Sequence, residues 1–264
     1  MLRFAANLSL LFNEYPPLER FAAARAAGFS AVEIQFPYAL GLEAVADALS
    51  REHQQLILIN IPAGDWNNGD RSLCCDPARR DEFAEGLSQA LEWAHALEIP
   101  RLNFLAGTTP PDHDEASVQH AMVANLKLAA ERCHAAGVEL LIEAINTRDL
   151  PGFRLHHSRQ VVDLIKQLDL PSTRLQYDLY HMQVMEGNLI STLQQLSPHI
   201  GHIQIADVPG RHEPGSGEIN FSNLFKAIEA MGYSGYISLE YIPSGPTRDG
   251  LEWLQPWITQ DRTA

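Results

Sequence analysis

Eight short apolar runs recur along this 264-residue chain, each separated from the next by a segment with helical spacing. The runs cover residues 4–10, 31–35, 56–61, 102–105, 139–143, 174–178, 200–206 and 236–241. Behind Pro16-Pro17, Leu18, Phe21, Ala22 and Ala26 keep one stripe until Gly28. Residues 42–49 repeat the helical pattern. Asp76-Pro77 pairs a capping side chain with a first-turn proline, and Phe83, Leu87, Leu91 and Ala94 follow. Val118, Met122, Leu126 and Ala130 run to a stop at Gly137. Ser158 is placed to cap the stripe of Val161, Val162, Ile165 and Leu168. Residues 189–196 and 221–231 are helical, and 250–257 closes with a turn or two. Strict strand–helix alternation implies right-handed βαβ units and a parallel sheet. Eight units in about 250 residues have the size of a single (β/α)8 barrel. An open doubly wound sheet would place a glycine-rich loop after its first strand, and Asn7-Leu8-Ser9-Leu10 is not one. No Gly-, Ser- or Pro-rich linker interrupts the chain, so residues 1–264 read as one domain. The long segments 62–76 and 207–220 follow the carboxyl ends of strands three and seven, the face where such barrels build active sites.

Acidic residues outnumber Lys and Arg 33 to 19, a net charge of −14. That balance argues against a nucleic-acid backbone as ligand. An anionic substrate would need a local cation or arginine. Cys74, Cys75 and Cys133 have neither metal-site nor redox-motif spacing, and their low density fits a reducing compartment. No charged leader precedes a long apolar stretch, and no run approaches the ~20 apolar residues of a membrane span. A cytoplasmic protein with no membrane partner is expected, its oligomeric state left open.

Four of the strands end in oxygen-bearing side chains: Glu143, Asp178, Gln204 and Glu240. By strand alternation each lies on the face opposite the helix-facing apolar set, pointing into the barrel. Three carboxylates and an amide crowded at one mouth would raise one another's pKa values. A hard divalent cation removes that repulsion, and Mg²⁺ or Mn²⁺ suits oxygen ligands better than zinc does. The competing reading makes each a separately satisfied strand-end group. His181, three residues after Asp178, reads either as a partner of a substrate oxygen or as a capped loop histidine. His202 lies below Gln204 and reads as a supporting or core residue. Arg211, in the glycine-bearing loop after strand seven, is the best cation for a substrate carboxylate. That loop could close over a ligand. Trp66, in Gly64-Asp65-Trp66, could form an aromatic wall.

Several longer strings carry a resemblance: Arg3-Phe4-Ala5-Ala6-Asn7-Leu8-Ser9, Phe36-Pro37-Tyr38, Pro62-Ala63-Gly64-Asp65-Trp66, Ile142-Glu143-Ala144-Ile145-Asn146, Gln176-Tyr177-Asp178-Leu179-Tyr180-His181-Met182-Gln183, Ile203-Gln204-Ile205-Ala206-Asp207 and Gly217-Glu218-Ile219-Asn220. Together they resemble the hydroxypyruvate isomerase family of xylose-isomerase-like TIM barrels, from residue 1 to about 257. The resemblance implies that Glu143, Asp178, Gln204 and Glu240 bind the metal, and that Glu143 and Glu240 act as proton donor and acceptor. His181 matches a substrate-contacting histidine of the wider group. The implied reaction interconverts hydroxypyruvate and 2-hydroxy-3-oxopropanoate through an enediolate. The 2-oxo-tetronate isomerases share much of the pattern, including Arg211-His212-Glu213-Pro214, and a related sugar epimerase is a more distant alternative. A phosphodiesterase on the same barrel would need a histidine-rich, multi-metal site and a basic groove. The candidate ligand set here has no histidine. A non-catalytic sugar-binding barrel is the remaining alternative.

Overall fold

The computed structural model describes residues 2–258; the outermost residues of the expected 1–264 domain, 1 and 259–264, lie outside the described residues. Eight parallel strands close in chain order. They are β1 (Arg3–Asn7), β2 (Ala31–Ile34), β3 (Gln55–Asn60), β4 (Arg101–Phe104), β5 (Glu139–Glu143), β6 (Thr173–Asp178), β7 (Ile200–Ile205) and β8 (Tyr236–Leu239). Closure pairs Arg3 with Tyr236 and Ala6 with Leu239. The connections carry α1 (Arg20–Ala26), α2 (Leu42–Glu52), α3 (Arg80–Ala96), α4 (Glu115–Ala135), α5 (Ser158–Leu168), α6 (Leu179–Met185), α7 (Leu189–Leu196) and α8 (Phe221–Ala230). Phe21, Phe83, Leu87, Leu126, Val161 and Phe225 bury the helix layer against the outer face of the sheet.

Most local expectations hold, and the departures have physical causes. Asp76 accepts the Ala78 N–H and opens a 3₁₀ turn that leads into α3. Helix α1 starts at Arg20, not behind the prolines. Two turns bury Phe21 and Ala24, while Leu18 is 39 % exposed. Ser158 does not cap α5: its N–H and Oγ donate to Glu186, and Gln160 Oε1 takes the His156 and His157 N–H groups. Residues 8–10 turn away from β1, their path set by the Leu10 and Leu11 N–H groups donating to Asn7 O. Helix α6 has no counterpart in the sequence reading. It follows β6 directly, with Asp178 accepting the Tyr180 N–H at its start. Its first four residues are all buried, so no amphipathic period marks it.

The barrel interior is layered. Ala5, Ala31, Ile57, Leu58 and Leu141 form an apolar plug separate from the helix-layer core. Below it, at the amino ends of the strands, stand Arg3, Arg101, Glu139 and Arg174. Above it is a buried polar tier: Asn7, Glu33, Asn103, Glu143, Asp178, Gln204 and Glu240, each at most 5 % exposed.

Candidate active site

Parallel register sets the site. Asp178 ends β6 and pairs with Gln204 in β7. Glu143 ends β5, and its register partner in β6 is Gln176. Glu240 stands one residue past β8, held by its N–H donating to Ile205 O at 3.1 Å. Asn103 Nδ2 donates to Glu143 Oε2 at 2.8 Å. Glu240 Oε1 accepts from Gln35 Nε2 at 2.6 Å and Asn7 Nδ2 at 3.2 Å.

Arg211 enters this acidic tier from the loop after β7. Its Nη2 lies 3.2 Å from Asp178 Oδ2 and 3.0 Å from Glu240 Oε2. The residue sits at φ +58°, a left-handed conformation that costs a non-glycine side chain energy and is over-represented at functional sites. It is held by its N–H donating to Asp207 O and by its carbonyl accepting from Ile242 N–H. The loop itself is pinned. The Asp207 carboxylate accepts backbone N–H groups from Val208, Gly215, Gly217 and Ile219. A Cβ at Gly217 would come within 2.1 Å of Val208 O, so only glycine fits that approach. The loop is thus a hydrogen-bonded bracket that carries Arg211.

His181 is not on a loop but in the first turn of α6. Its Nε2 is 3.5 Å from Asp178 Oδ2 and 3.8 Å from Glu143 Oε1. These three residues can offer ligand atoms within 4.8 Å of one another. A histidine thus joins the cluster that the sequence presented as all oxygen. Its tautomer decides its role. Asn146 Oδ1 accepts the Arg148 and Asp149 N–H groups, so its Nδ2 must be the group facing His181 Nδ1 at 2.7 Å. Nδ1 is then an acceptor, and burial holds the ring neutral by lowering its pKa to about 4. The ring proton lies on Nε2, which makes that atom a hydrogen-bond donor toward the carboxylates rather than a lone pair for a metal.

Burial, then the neighbouring Asp178, push the Glu143 carboxyl up to about 8. Burial also drives Glu240 well above the usual carboxylate range, only partly offset by Arg211. Glu33 goes the other way: burial would raise it, but the neighbouring polar groups, His202 foremost, hold it below the usual range. Sequence reasoning passed over Glu33, an inward-facing glutamate between apolar neighbours in Ala-Val-Glu-Ile. The rule that singled out strand-end groups missed it because β2 was drawn to Gln35. Asn7, Gln35 and Asn103 were missed because asparagine and glutamine in strands carry no charge signal.

Gln35, Phe36, Asn60, Trp66, Glu143, His181, Arg211 and Glu240 line a cavity of about 170 Å³, with Leu105, Ile145, Asp149 and Leu150 completing its wall. Trp66 packs against Phe36 at 5.8 Å and carries the Arg71 guanidinium over its ring. Asp178 and Gln204 lie at the strand ends behind this surface. The donor set fits a hard divalent cation: convergent carboxylate oxygens, with a guanidinium already standing between two of them as a built-in positive charge. One arginine does not balance Glu33, Glu143, Asp178 and Glu240.

A family model described as xylose isomerase-like TIM barrel matches residues 21–257. The chain belongs to this family. Among its relatives, the hydroxypyruvate isomerase of Escherichia coli K12 is 44 % identical, over 97 % of this chain and 100 % of the relative. A 2-oxo-tetronate isomerase of Cupriavidus necator is 41 % identical, over 98 % of this chain and 99 % of the relative. The crystal structure of a Brucella melitensis protein described as AP endonuclease, family 2, superposes with a TM-score of 0.94 at 39 % identity, covering 98 % and 100 % of the two chains. None of the described helices of this family member is long and apolar enough to cross a membrane.

Proposed function

We propose that this chain is an isomerase of small hydroxy-2-keto acids, interconverting hydroxypyruvate and 2-hydroxy-3-oxopropanoate, with Glu143 and Glu240 as its proton donor and acceptor. Assignment as a keto-acid isomerase is supported by relatives of that activity at 44 % and 41 % identity across nearly the whole chain. The observation that carries the chemistry is the pair of buried glutamates facing one small cavity, both with pKa values raised by burial. At about 170 Å³ the cavity is smaller than sites for drug-sized ligands and suits a substrate of a few heavy atoms.

One glutamate takes the proton from C3, the hydroxyl-bearing carbon, giving an enediolate. The other returns a proton to C2, while the hydroxyl hydrogen passes from O3 to O2. In the reverse direction the two exchange roles. A carboxyl with a pKa near 8 holds or releases a proton at neutral pH, as such an acid or base must. The His181 Nε2–H is placed to donate to the substrate oxygen that gains charge. Arg211 is the one fixed cation among the residues lining the cavity and is the partner assigned to the substrate carboxylate. Trp66 and Phe36 wall the cavity and keep water from the enediolate. Mg²⁺ or Mn²⁺, held by oxygens of Glu143, Asp178, Gln204 and Glu240, would polarise the carbonyl as a Lewis acid when bound.

The test is product formation by purified protein, stripped with chelator and then supplied with Mg²⁺ or Mn²⁺. Hydroxypyruvate and a 2-oxo-tetronate are compared at equal concentration in ²H₂O. Turnover of hydroxypyruvate with solvent deuterium at C2 is expected. Faster turnover of the four-carbon acid would move the chain to the activity of its Cupriavidus relative. No turnover of either acid would end the reading.

A further inference from the structure

The reaction leaves unused a buried carboxylate beneath the site. Glu33 is fully buried, and three donors converge on it. Asn7 Nδ2 and Gln204 Nε2 each lie 2.8 Å from Oε1, and His202 Nε2 lies 2.9 Å from Oε2. A carboxylate in this setting accepts only, so each neighbour must turn an N–H toward it. For Gln204 this fixes the amide: Nε2 is committed to Glu33 and Oε1 must face the other way. That oxygen accepts from Gln176 Nε2 at 2.6 Å, and its strand register places Gln204 beside Asp178. For Asn7, the Ser9 N–H takes Oδ1, which leaves Nδ2 to span Glu33 and Glu240 Oε1. One side chain therefore orients two members of the carboxylate tier, one directly and one through Asn7.

We infer that Glu33 is a positioning residue, which claims the Gln204 amide N–H so that the Gln204 carbonyl oxygen is presented as a ligand to the divalent cation. This rests on the metal reading above. Without the acceptor at position 33, Gln204 is free to turn its NH₂ toward the cation, which repels it.

The experiment measures Mn²⁺ affinity of the full chain by calorimetry and by the electron paramagnetic resonance signal of free Mn²⁺. The unaltered protein is compared with Glu33→Leu, Gln204→Ala and the double variant. Glu33→Leu, which removes the acceptor, should weaken Mn²⁺ binding roughly ten- to hundredfold, the cost usual for losing a group that orients a ligand. In the Gln204→Ala background the same change should weaken it less than threefold, because the route runs through Gln204. Gln176→Leu, which leaves Glu33 in place, should bind Mn²⁺ at least as tightly as the unaltered chain; this variant serves if Glu33→Leu does not fold. The positioning role is overturned if Glu33→Leu binds within twofold of the unaltered chain. It is also overturned if the two losses multiply in the double variant, or if Gln176→Leu binds tenfold more weakly. An unaltered chain that binds no Mn²⁺ would instead remove the metal reading, and this inference with it.

Discussion

The two ends of the barrel carry comparable numbers of charged side chains and pair them differently. At the amino end every arginine has its own partner. Arg101 Nε lies 3.0 Å from Glu139, Arg174 donates to Ile200 O, and Arg3 donates to the Tyr236 hydroxyl while lying over its ring. At the carboxyl end Arg211 bridges Asp178 and Glu240, Glu33 is held by His202, and the Glu143 and Glu240 carboxyls have strongly raised pKa values. The cavity at the amino end is the larger, about 590 Å³ against about 170 Å³. Volume therefore points one way and buried carboxylate charge the other. Unbalanced buried charge is the better guide, because it costs free energy that only a ligand or a proton recovers.

The sharpest break of this contrast is a pair of isosteric changes. Glu240→Gln should lower kcat by about a thousandfold, within the range usual for removing a general acid or base. Glu139→Gln, at the opposite end, should change it less than twofold. Steady-state kinetics on both variants decides the matter; a near-native rate in Glu240→Gln would remove that residue from the mechanism. Next in size is Arg211→Ala. It should raise KM tenfold or more, and should lower the melting temperature of the chelator-treated protein at pH 8, because Asp178 and Glu240 lose their shared counter-charge. Added Mn²⁺ should shrink that thermal difference.

A third test uses pH on chelator-treated protein. Glu143 rises from 4.5 to about 8 on folding, so between those values the folded state binds the extra proton and stability falls as pH rises. His181 falls from 6.5 to about 4, so its contribution runs the opposite way, with stability rising across that lower window. Above pH 6.5 the two raised glutamates, Glu143 and Glu240, act in the same direction. Melting temperature should fall from pH 6.5 to pH 8, and saturating Mn²⁺ should abolish the fall. A flat profile in chelator would mean that the carboxylates are balanced after all. The smallest effect belongs to Arg101→Met: its partly exposed ion pair is worth about 1 kcal/mol or less, so melting should shift by a few degrees at most, with turnover unchanged.

The barrel was legible because alternation leaves few topologies open, and Glu143, Asp178, Gln204 and Glu240 stood out as polar groups closing apolar strands. What stayed hidden depends on contacts that no local pattern records. Arg211 reaches Asp178 and Glu240 across 33 and 29 residues of chain. The tautomer of His181 is set by an asparagine 35 residues away, whose own orientation is fixed by a turn. Helix α6 is buried through its whole first turn and so shows no amphipathic period. The bracing of the loop after β7 is equally non-local to its glycines: one aspartate collects four of its backbone donors.

The seam between β1 and β8 gives this design a temporal side. Asn7 and Glu240 meet across 233 residues, so the first strand to leave a ribosome waits for the last before their hydrogen bond exists. A chain lacking its final strand has neither the Glu240 carboxylate nor the β8 edge on which β1 closes, so the polar tier at the barrel mouth comes together only when the circle is complete.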